Sequence, residues 1–92
     1  MENNNSCKYS QAIGKVMTAL VRDEVPFYII PAFDGYQLRF PWTDGDVICH
    51  SGSYGHHGGF VETYHFPWDD DDVSMLDGWQ AGEMISAYFK RK

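Results

Sequence analysis

Tryptophans and carboxylates occur together in two similar segments of the chain. Residues 40–47 read Phe-Pro-Trp-Thr-Asp-Gly-Asp-Val, residues 66–73 read Phe-Pro-Trp-Asp-Asp-Asp-Asp-Val, and six of the eight positions are identical. Neither segment contains Lys or Arg. Carboxylates at close spacing raise one another's pKa and favour an outside cation, while Trp supplies anchoring area at protein interfaces. The candidate partner-binding residues are therefore Trp42, Asp44, Asp46, Trp68, Asp69, Asp70, Asp71 and Asp72.

Three interpretations of these segments are open. The first is a binding surface for a basic, Arg-rich protein, with the aspartate run exposed to solvent. The second is a divalent-metal site, although consecutive aspartates in an extended chain point alternately to opposite faces, and the run lacks the residue spacing of a calcium loop. The third is structural: Phe and Trp anchor the core, Pro ends strands, and the aspartates form a turn and a solvated approach to a helix.

The histidines suggest metal binding as a separate chemistry. His50, His56 and His57 lie in or beside the glycine-rich segment 51–59, and three imidazoles are enough to bind zinc or nickel. No carboxylate in that segment is placed to orient them. The sequence therefore predicts a mobile polar loop there and no zinc site.

Acid–base catalysis is the other chemistry that these residue types allow. A carboxylate beside His65 would suit proton transfer, and the candidate carboxylates are those of Asp44, Asp46 and Glu62. No nucleophile, oxyanion-stabilising group or cofactor-binding motif completes such a site. We therefore expect no enzyme and no cofactor.

The charge distribution narrows the class of partner. The net charge is −6, and the stretch between Phe40 and Phe89 contains nine carboxylates and no Lys or Arg. Such a field repels phosphate backbones, so we expect no direct nucleic-acid binding and instead a protein partner with a basic surface. The alternative is that the acidic residues serve only to keep the protein in solution.

The termini and cysteines indicate the compartment. The N-terminal stretch lacks the basic and apolar regions of a signal peptide, and no run approaches the length of a membrane span. Cys7 and Cys49 are too few for a disulfide framework. These features predict a cytoplasmic protein with both thiols free and no membrane contact.

Hydrophobic periodicity predicts the elements that position the candidate residues. Apolar residues at helical spacing predict helices over about 9–23 and 75–90, and Ser74 to Asp77 fits a capping box. Strands are predicted at residues 27–30, 37–40, 46–50 and 60–65. An Asp-Gly pair at position 34 predicts a hairpin turn.

Together these elements predict a single domain over residues 1–92. We expect an α+β fold, with a small antiparallel sheet of about four strands in the order α-β-β-β-β-α and both helices on one face. Pairing the third and fourth strands through the glycine-rich loop sets Trp42 opposite Pro67 and Asp44 opposite His65. The two Phe-Pro-Trp segments then meet at one end of the sheet, with their indoles within about 10–12 Å.

In size, acidity and lack of targeting signals or catalytic motifs, the chain resembles small phage-encoded anti-defence proteins, including anti-CRISPR proteins, and small acidic immunity proteins that inhibit nucleases. The resemblance is compositional over the whole chain, and no motif transfers site residues from those families. It implies an inhibitor that acts in the cytoplasm of a host cell.

We therefore expect a non-enzymatic acidic interaction protein that blocks a basic site on a nucleic-acid-handling protein, as a steric plug or a mimic of phosphate charge. One alternative is a small metal-dependent enzyme or metal-binding module that uses His and Asp. A less favoured alternative is a carbohydrate-binding module built on Trp42, Trp68 and the aspartates.

Overall fold

The computed structural model of the chain describes residues 4–41, 43–50, 60–69 and 73–90. In chain order the elements are α1 (Asn4–Arg22), β1 (Tyr28–Ala32), β2 (Gly35–Arg39), β3 (Asp46–Cys49), β4 (Phe60–Tyr64), a 3₁₀ turn (Pro67–Asp69), β5 (Val73–Asp77) and α2 (Gly78–Lys90). The strands form one antiparallel sheet in the order β1-β2-β3-β4-β5. The predicted α+β class is confirmed, with five strands instead of four.

One face of the sheet is covered by the helices. Leu38, Val47 and Val61 point to that face and are fully buried in a core that includes Ile13 of α1 and Ile85 of α2. Helix α1 packs against β2, β3 and β4, and α2 packs against β4 and β5. The prediction that both helices share one sheet is therefore confirmed. Neither described helix covers the opposite face.

Helix α1 ends in a Schellman motif. Glu24 adopts a left-handed conformation with φ of 59°, and its N–H donates to the carbonyl of Val21 at 3.2 Å. The N–H of Val25 donates to the carbonyl of Leu20 at 2.8 Å, and both of these side chains are buried. The helix begins at Asn4, earlier than predicted, because apolar spacing marks only the packed part of a helix.

Small residues on α2 let the two helices approach closely. A Cβ at Gly78 would lie 2.5 Å from the carbonyl oxygen of Ala12, and a Cβ at Gly82 would lie 2.8 Å from that of Val16. The backbones are thus in direct contact at two successive turns of α2. Within the described residues, neither α1 nor α2 has the length and apolar character needed to cross a bilayer.

Residues 73–77 form a strand, which corrects the prediction that α2 starts with a capping box at Ser74. Strand β5 pairs with β4 along its whole length, and α2 begins at Gly78. The backbone N–H of Gln80 donates to Asp77 Oδ1 at 2.9 Å, so Asp77 is the N-cap. The helix begins directly after its N-cap, Asp77, and the residues before this cap belong to strand β5.

Strands β1 and β2 form the predicted hairpin, with its turn one residue earlier than the Asp-Gly pair suggests. Ala32 pairs with Gly35, so Phe33 and Asp34 are the loop residues. Gly35 lies in the sheet, at a position where a Cβ would come 2.0 Å from the carbonyl oxygen of Cys49. The glycine is needed for this close approach to β3 and not for the turn.

Candidate functional site

The two copies of the repeated sequence contact each other at one end of the sheet, as predicted. The rings of Phe40 and Phe66 lie edge to face with their centroids 5.8 Å apart, and both side chains are buried. Gly45 packs on the same ring, since a Cβ at this position would come within 2.6 Å of Phe66 Cζ. The first residue of each copy therefore belongs to the core.

The register of β3 with β4 is shifted by one residue from the predicted pairing. Asp46 pairs with Tyr64, whereas Asp44 opposite His65 would require Asp46 opposite Thr63. Because side chains alternate across a sheet, the shift changes which residues share a face. Asp46 and Tyr64 lie together on the uncovered face, and Thr63 is buried on the helix-covered face.

Trp68 is held in place by the fold. Its indole stacks on Phe66 with the centroids 4.8 Å apart and the planes inclined by 5°, and its Nε1 donates to Thr63 Oγ1 at 3.0 Å. The ring also meets Tyr88 of α2 edge to face. Trp68 is half-buried, so part of its surface belongs to the core and the rest reaches solvent.

Asp69 is buried, which corrects the expectation that the whole aspartate run is exposed. Its side chain is 4% exposed. Thr63 Oγ1 donates to Oδ1 at 2.7 Å, and the Phe66 N–H donates to Oδ2 at 3.1 Å. The 3₁₀ turn after β4 folds the chain back toward the sheet, so this carboxylate satisfies donors at the strand end. Asp69 holds the turn and presents no charge to a partner.

Other predicted residues have simpler positions. Asp44 is exposed, in the connection that leads into β3. The predicted residues outside the described ranges are Trp42, His56, His57, Asp70, Asp71 and Asp72. The separation of Trp42 from Trp68 therefore stays a prediction.

Asp46 has an unusual environment for an acidic residue. It begins β3 on the uncovered face and is half-buried. Gln37 Nε2 donates to Oδ2 at 2.7 Å, whereas Oδ1 is buried and has no hydrogen-bond partner in the described part of the chain. Burial raises the pKa of Asp46, an effect opposed by the Gln37 hydrogen bond and by the charges of His65 and Arg39. A buried carboxylate oxygen without a hydrogen-bond partner costs folding free energy, so Oδ1 does not stabilise the domain through a hydrogen bond in the described part of the chain.

A groove of about 270 Å³ lies along β3 beside this carboxylate. Four strands and the connections next to them supply its lining: Ala32, Phe33, Gln37, Asp46, Ile48, His50, Tyr64 and His65. Among the described residues of the lining, Asp46 is the one acid and none is Lys or Arg. The groove thus combines a single carboxylate with aromatic and aliphatic surface.

Aromatic rings form much of the groove. The centroids of Phe33 and His50 lie 4.9 Å apart, and those of Tyr64 and His65 lie 6.3 Å apart. The Tyr64 hydroxyl donates to Oε1 of the buried Glu62 at 3.0 Å, which fixes the Tyr64 ring. Phe33 and His65 have positive φ values of 57° and 66°, and at Phe33 this is what the two-residue hairpin turn requires of its first loop residue.

A larger cavity of about 500 Å³ lies between the end of α1 and the end of α2. Its lining consists of Asp23, Glu24, Val25, Pro26, Thr43, Tyr88, Phe89 and Lys90. Asp23 is already paired with Arg22 at 2.7 Å and with Lys90 at 3.9 Å. Among the described residues, the lining of this cavity therefore has no buried carboxylate oxygen without a partner, which is the feature that distinguishes the groove on β3.

The sequence predicted Asp46 and its proximity to His65, which both line the groove, but not the contributions of Gln37 and Phe33. Gln37 comes from a neighbouring strand, and its placement depends on the β2–β3 register that pairs it with Ile48. Phe33 was assigned only to a turn. The alternation of Asp46, Ile48 and His50 along β3 is a signal that would have placed these three on one face.

Among the described residues, no group of three or more His, Cys, Asp or Glu side chains is arranged to hold a metal ion. Comparisons of the chain with protein-family models, curated proteins and solved structures find no match. The site's own chemistry is therefore the basis for a functional conclusion.

Proposed function

We propose that this chain is a non-enzymatic acidic interaction protein that binds a basic surface of a nucleic-acid-handling protein and blocks it. The observation that carries the proposal is the acidic stretch between Phe40 and Phe89, which has nine carboxylates and no Lys or Arg. Within it, one oxygen of the half-buried Asp46 carboxylate has no partner in the described part of the chain. A cation from outside would complete its interactions.

The described cations of the helix layer, Lys15, Arg22 and Lys90, have partners within the domain. Arg22 pairs with Glu83 at 2.8 Å and with Asp23 at 2.7 Å, and the Lys15 ammonium lies 5.9 Å from the centroid of the Trp79 ring. Strands β3, β4 and β5, by contrast, contain no Lys or Arg, and the one basic residue within the five strands is Arg39 of β2. This asymmetry favours a basic partner that approaches the sheet and not the helices.

The class of partner follows from the same chemistry. Carboxylates compete for the Lys and Arg side chains that otherwise hold phosphates, and such side chains cluster on nucleases and other nucleic-acid-handling proteins. Anti-defence and immunity proteins, which the chain resembles in composition, act on that class. Bound there, the domain would act as a steric plug or as a mimic of phosphate charge in the host-cell cytoplasm.

A binding experiment on the aspartate run tests the proposal. The partner is captured from the host at low salt, purified, and its association with the domain is followed by surface plasmon resonance. Raising the salt from about 50 to 200 mM should slow association, because exposed charges are screened. Replacing Asp70, Asp71 and Asp72 together by Asn should slow association by about tenfold and change dissociation less.

A charge-matched control separates a local effect from net charge. The triple variant Glu2→Gln, Glu24→Gln and Asp34→Asn removes the same number of carboxylates outside the repeated segments and should associate nearly as fast as the wild type. The domain should also displace nucleic acid from the partner. Wild-type binding by the aspartate variant at every salt concentration, or no displacement of nucleic acid, would refute the proposal.

A further inference from the structure

We propose that the groove on β3 binds the guanidinium group of one arginine side chain. This assignment rests on the proposed function and names the chemistry by which the basic partner is recognised. Asp46 pairs with the guanidinium, Ile48 contacts the methylene stem, and the rings of Phe33 and Tyr64 contact the planar head and the stem. The groove, and not the charge of the chain alone, then selects the partner.

Charge complementarity sets the sign of the ligand. Gln37 occupies Oδ2 of Asp46, whereas Oδ1 is unpartnered among the described residues but has almost no exposed surface. A guanidinium therefore pairs with Oδ1 only after the carboxylate turns toward the groove. Arg39 is the cross-strand neighbour of Asp46, yet Oδ1 has no partner among the described residues. Arg39 therefore makes no hydrogen bond to this oxygen, although its charge acts on the Asp46 carboxylate.

Size restricts the ligand to something small. Pockets for drug-sized molecules occupy about 300–1,000 Å³, and this groove of about 270 Å³ is smaller. It is open and lies along a strand, so it suits one long side chain presented by another protein. The apolar side chain of Ile48 in its lining matches the methylene stem that Lys and Arg bury when their charged ends reach a polar group.

The aromatic lining favours arginine over lysine. A guanidinium is planar, weakly hydrated and stacks on aromatic faces, whereas an ammonium is compact and strongly hydrated. Phe33 is 91% exposed, and its φ of 57° is the conformation that a two-residue hairpin requires of its first loop residue. A two-residue turn needs no aromatic side chain at this position, so the exposed ring beside the groove is better explained by contact with a ligand.

Peptide titrations followed by amide NMR test this assignment. The probes are N-acetyl-Gly-Arg-Gly-amide, the same peptide with citrulline, which keeps the shape and removes the charge, and the same peptide with lysine. The arginine peptide should shift the amides of β3 and the Gln37 side-chain NH2. The citrulline peptide should bind at least tenfold more weakly, and the lysine peptide several-fold more weakly.

Two aspartate variants with the same change in charge supply the control. Asp46→Asn should weaken binding of the arginine peptide by tenfold or more, whereas Asp44→Asn, exposed and outside the groove lining, should change it by less than twofold. The melting temperature of Asp46→Asn should be equal to or higher than that of the wild type, because a half-buried unpaired charge is removed. A clear fall in the melting temperature would instead assign Asp46 a structural role and overturn the proposal.

Other results of the peptide and partner experiments distinguish failure of the arginine site from failure of the proposed function. Equal binding of the arginine and citrulline peptides, tighter binding of the lysine peptide, shifts centred away from β3, or no binding at millimolar peptide would each overturn the arginine site. If the Asp70–Asp72 variant loses the captured partner while Asp46→Asn keeps both partner and peptide, only this inference fails. If the Asp70–Asp72 variant binds the partner like the wild type, the proposed function fails independently of the peptide result.

Discussion

Gly45 lies against the ring of Phe66 so closely that a Cβ at residue 45 would come within 2.6 Å of the ring's Cζ. The ring has little room to move aside, because it stacks on Trp68 and meets Phe40 and Tyr88 edge to face. This contact fixes the connection that enters β3 against the turn that follows β4.

The substitution Gly45→Ala is therefore expected to destabilise the domain by about 1–3 kcal/mol, the usual cost of overpacking a core. Chemical denaturation measures the change in the free energy of unfolding. Gly14→Ala is the matched control, since a Cβ at Gly14 has no atom within 4 Å and alanine in a helix is favoured by about 0.5–1 kcal/mol. An unchanged midpoint for Gly45→Ala would contradict the packing around Phe66.

Asp69→Asn should destabilise the domain by about 1–3 kcal/mol, because one of two donors, Thr63 Oγ1 or the Phe66 N–H, then faces an NH2 group. Asp44→Asn makes the same chemical change at an exposed position and should stay within about 0.5 kcal/mol of the wild type. Thermal unfolding compares the two. Equal stabilities of the two variants would indicate that the Asp69 carboxylate is exposed and does not hold the turn.

Local signals in the sequence were enough for the helices and most of the sheet. The apolar stripe of α1, with Ile13, Val16 and Leu20 buried, is visible at helical spacing, and β3 and β4 show alternation. Strand β5 was missed because its cue is pairing with β4, which lies outside the segment itself. The capping box predicted over Ser74 to Asp77 set Asp77 inside the helix, whereas Asp77 is the N-cap itself.

The candidate site was predicted less completely, because it depends on register and turns. A one-residue shift between β3 and β4 decides that Asp46 shares a face with Tyr64 and not with Thr63. The burial of Asp69 depends on how the chain turns after β4, which no pattern within four aspartates reveals. Gln37 reaches Asp46 from another strand, so only the assembled sheet brings the two together.

The pairing of Arg22 with two carboxylates predicts a dependence of stability on acid. Hydrogen bonds from Arg22 hold the pKa of Asp23 and that of Glu83 below their ordinary values of 3.8 and 4.5. A lowered folded-state pKa contributes stability above the ordinary value, and that contribution is lost as the pH falls through the folded-state pKa. The stability of the wild type should therefore decline as the pH drops below about 4.

Arg22→Gln isolates this contribution. The variant should be less stable than the wild type at neutral pH, and the difference should shrink as the pH falls below the ordinary carboxyl pKa values. Denaturant titrations at several pH values measure it. Arg39→Gln removes the same charge where no ion pair forms among the described residues, so a pH-dependent difference of the same size in that variant would contradict the explanation.

The Cys49 thiol should be inert in the folded protein. It is fully buried, and burial together with the charge of Asp34 raises its pKa to about 11. The thiolate is the reactive form, so in a Cys7→Ser background a thiol reagent at pH 8 should modify the protein only after denaturant is added. Reaction of the native protein at the rate of a free cysteine would show that this part of the core opens readily.

Gly78 and Gly82 join α2 to α1 by direct backbone contact, and this has a consequence for the order of events on the ribosome. The apolar stripe of α1 is synthesised first, and the surface that covers it from α2 emerges only after all five strands. Until then α1 lacks its closest neighbour, and contacts between distant parts of a chain form slowly. We therefore expect part of the apolar stripe of α1 to stay exposed in each newly made chain until α2 has emerged.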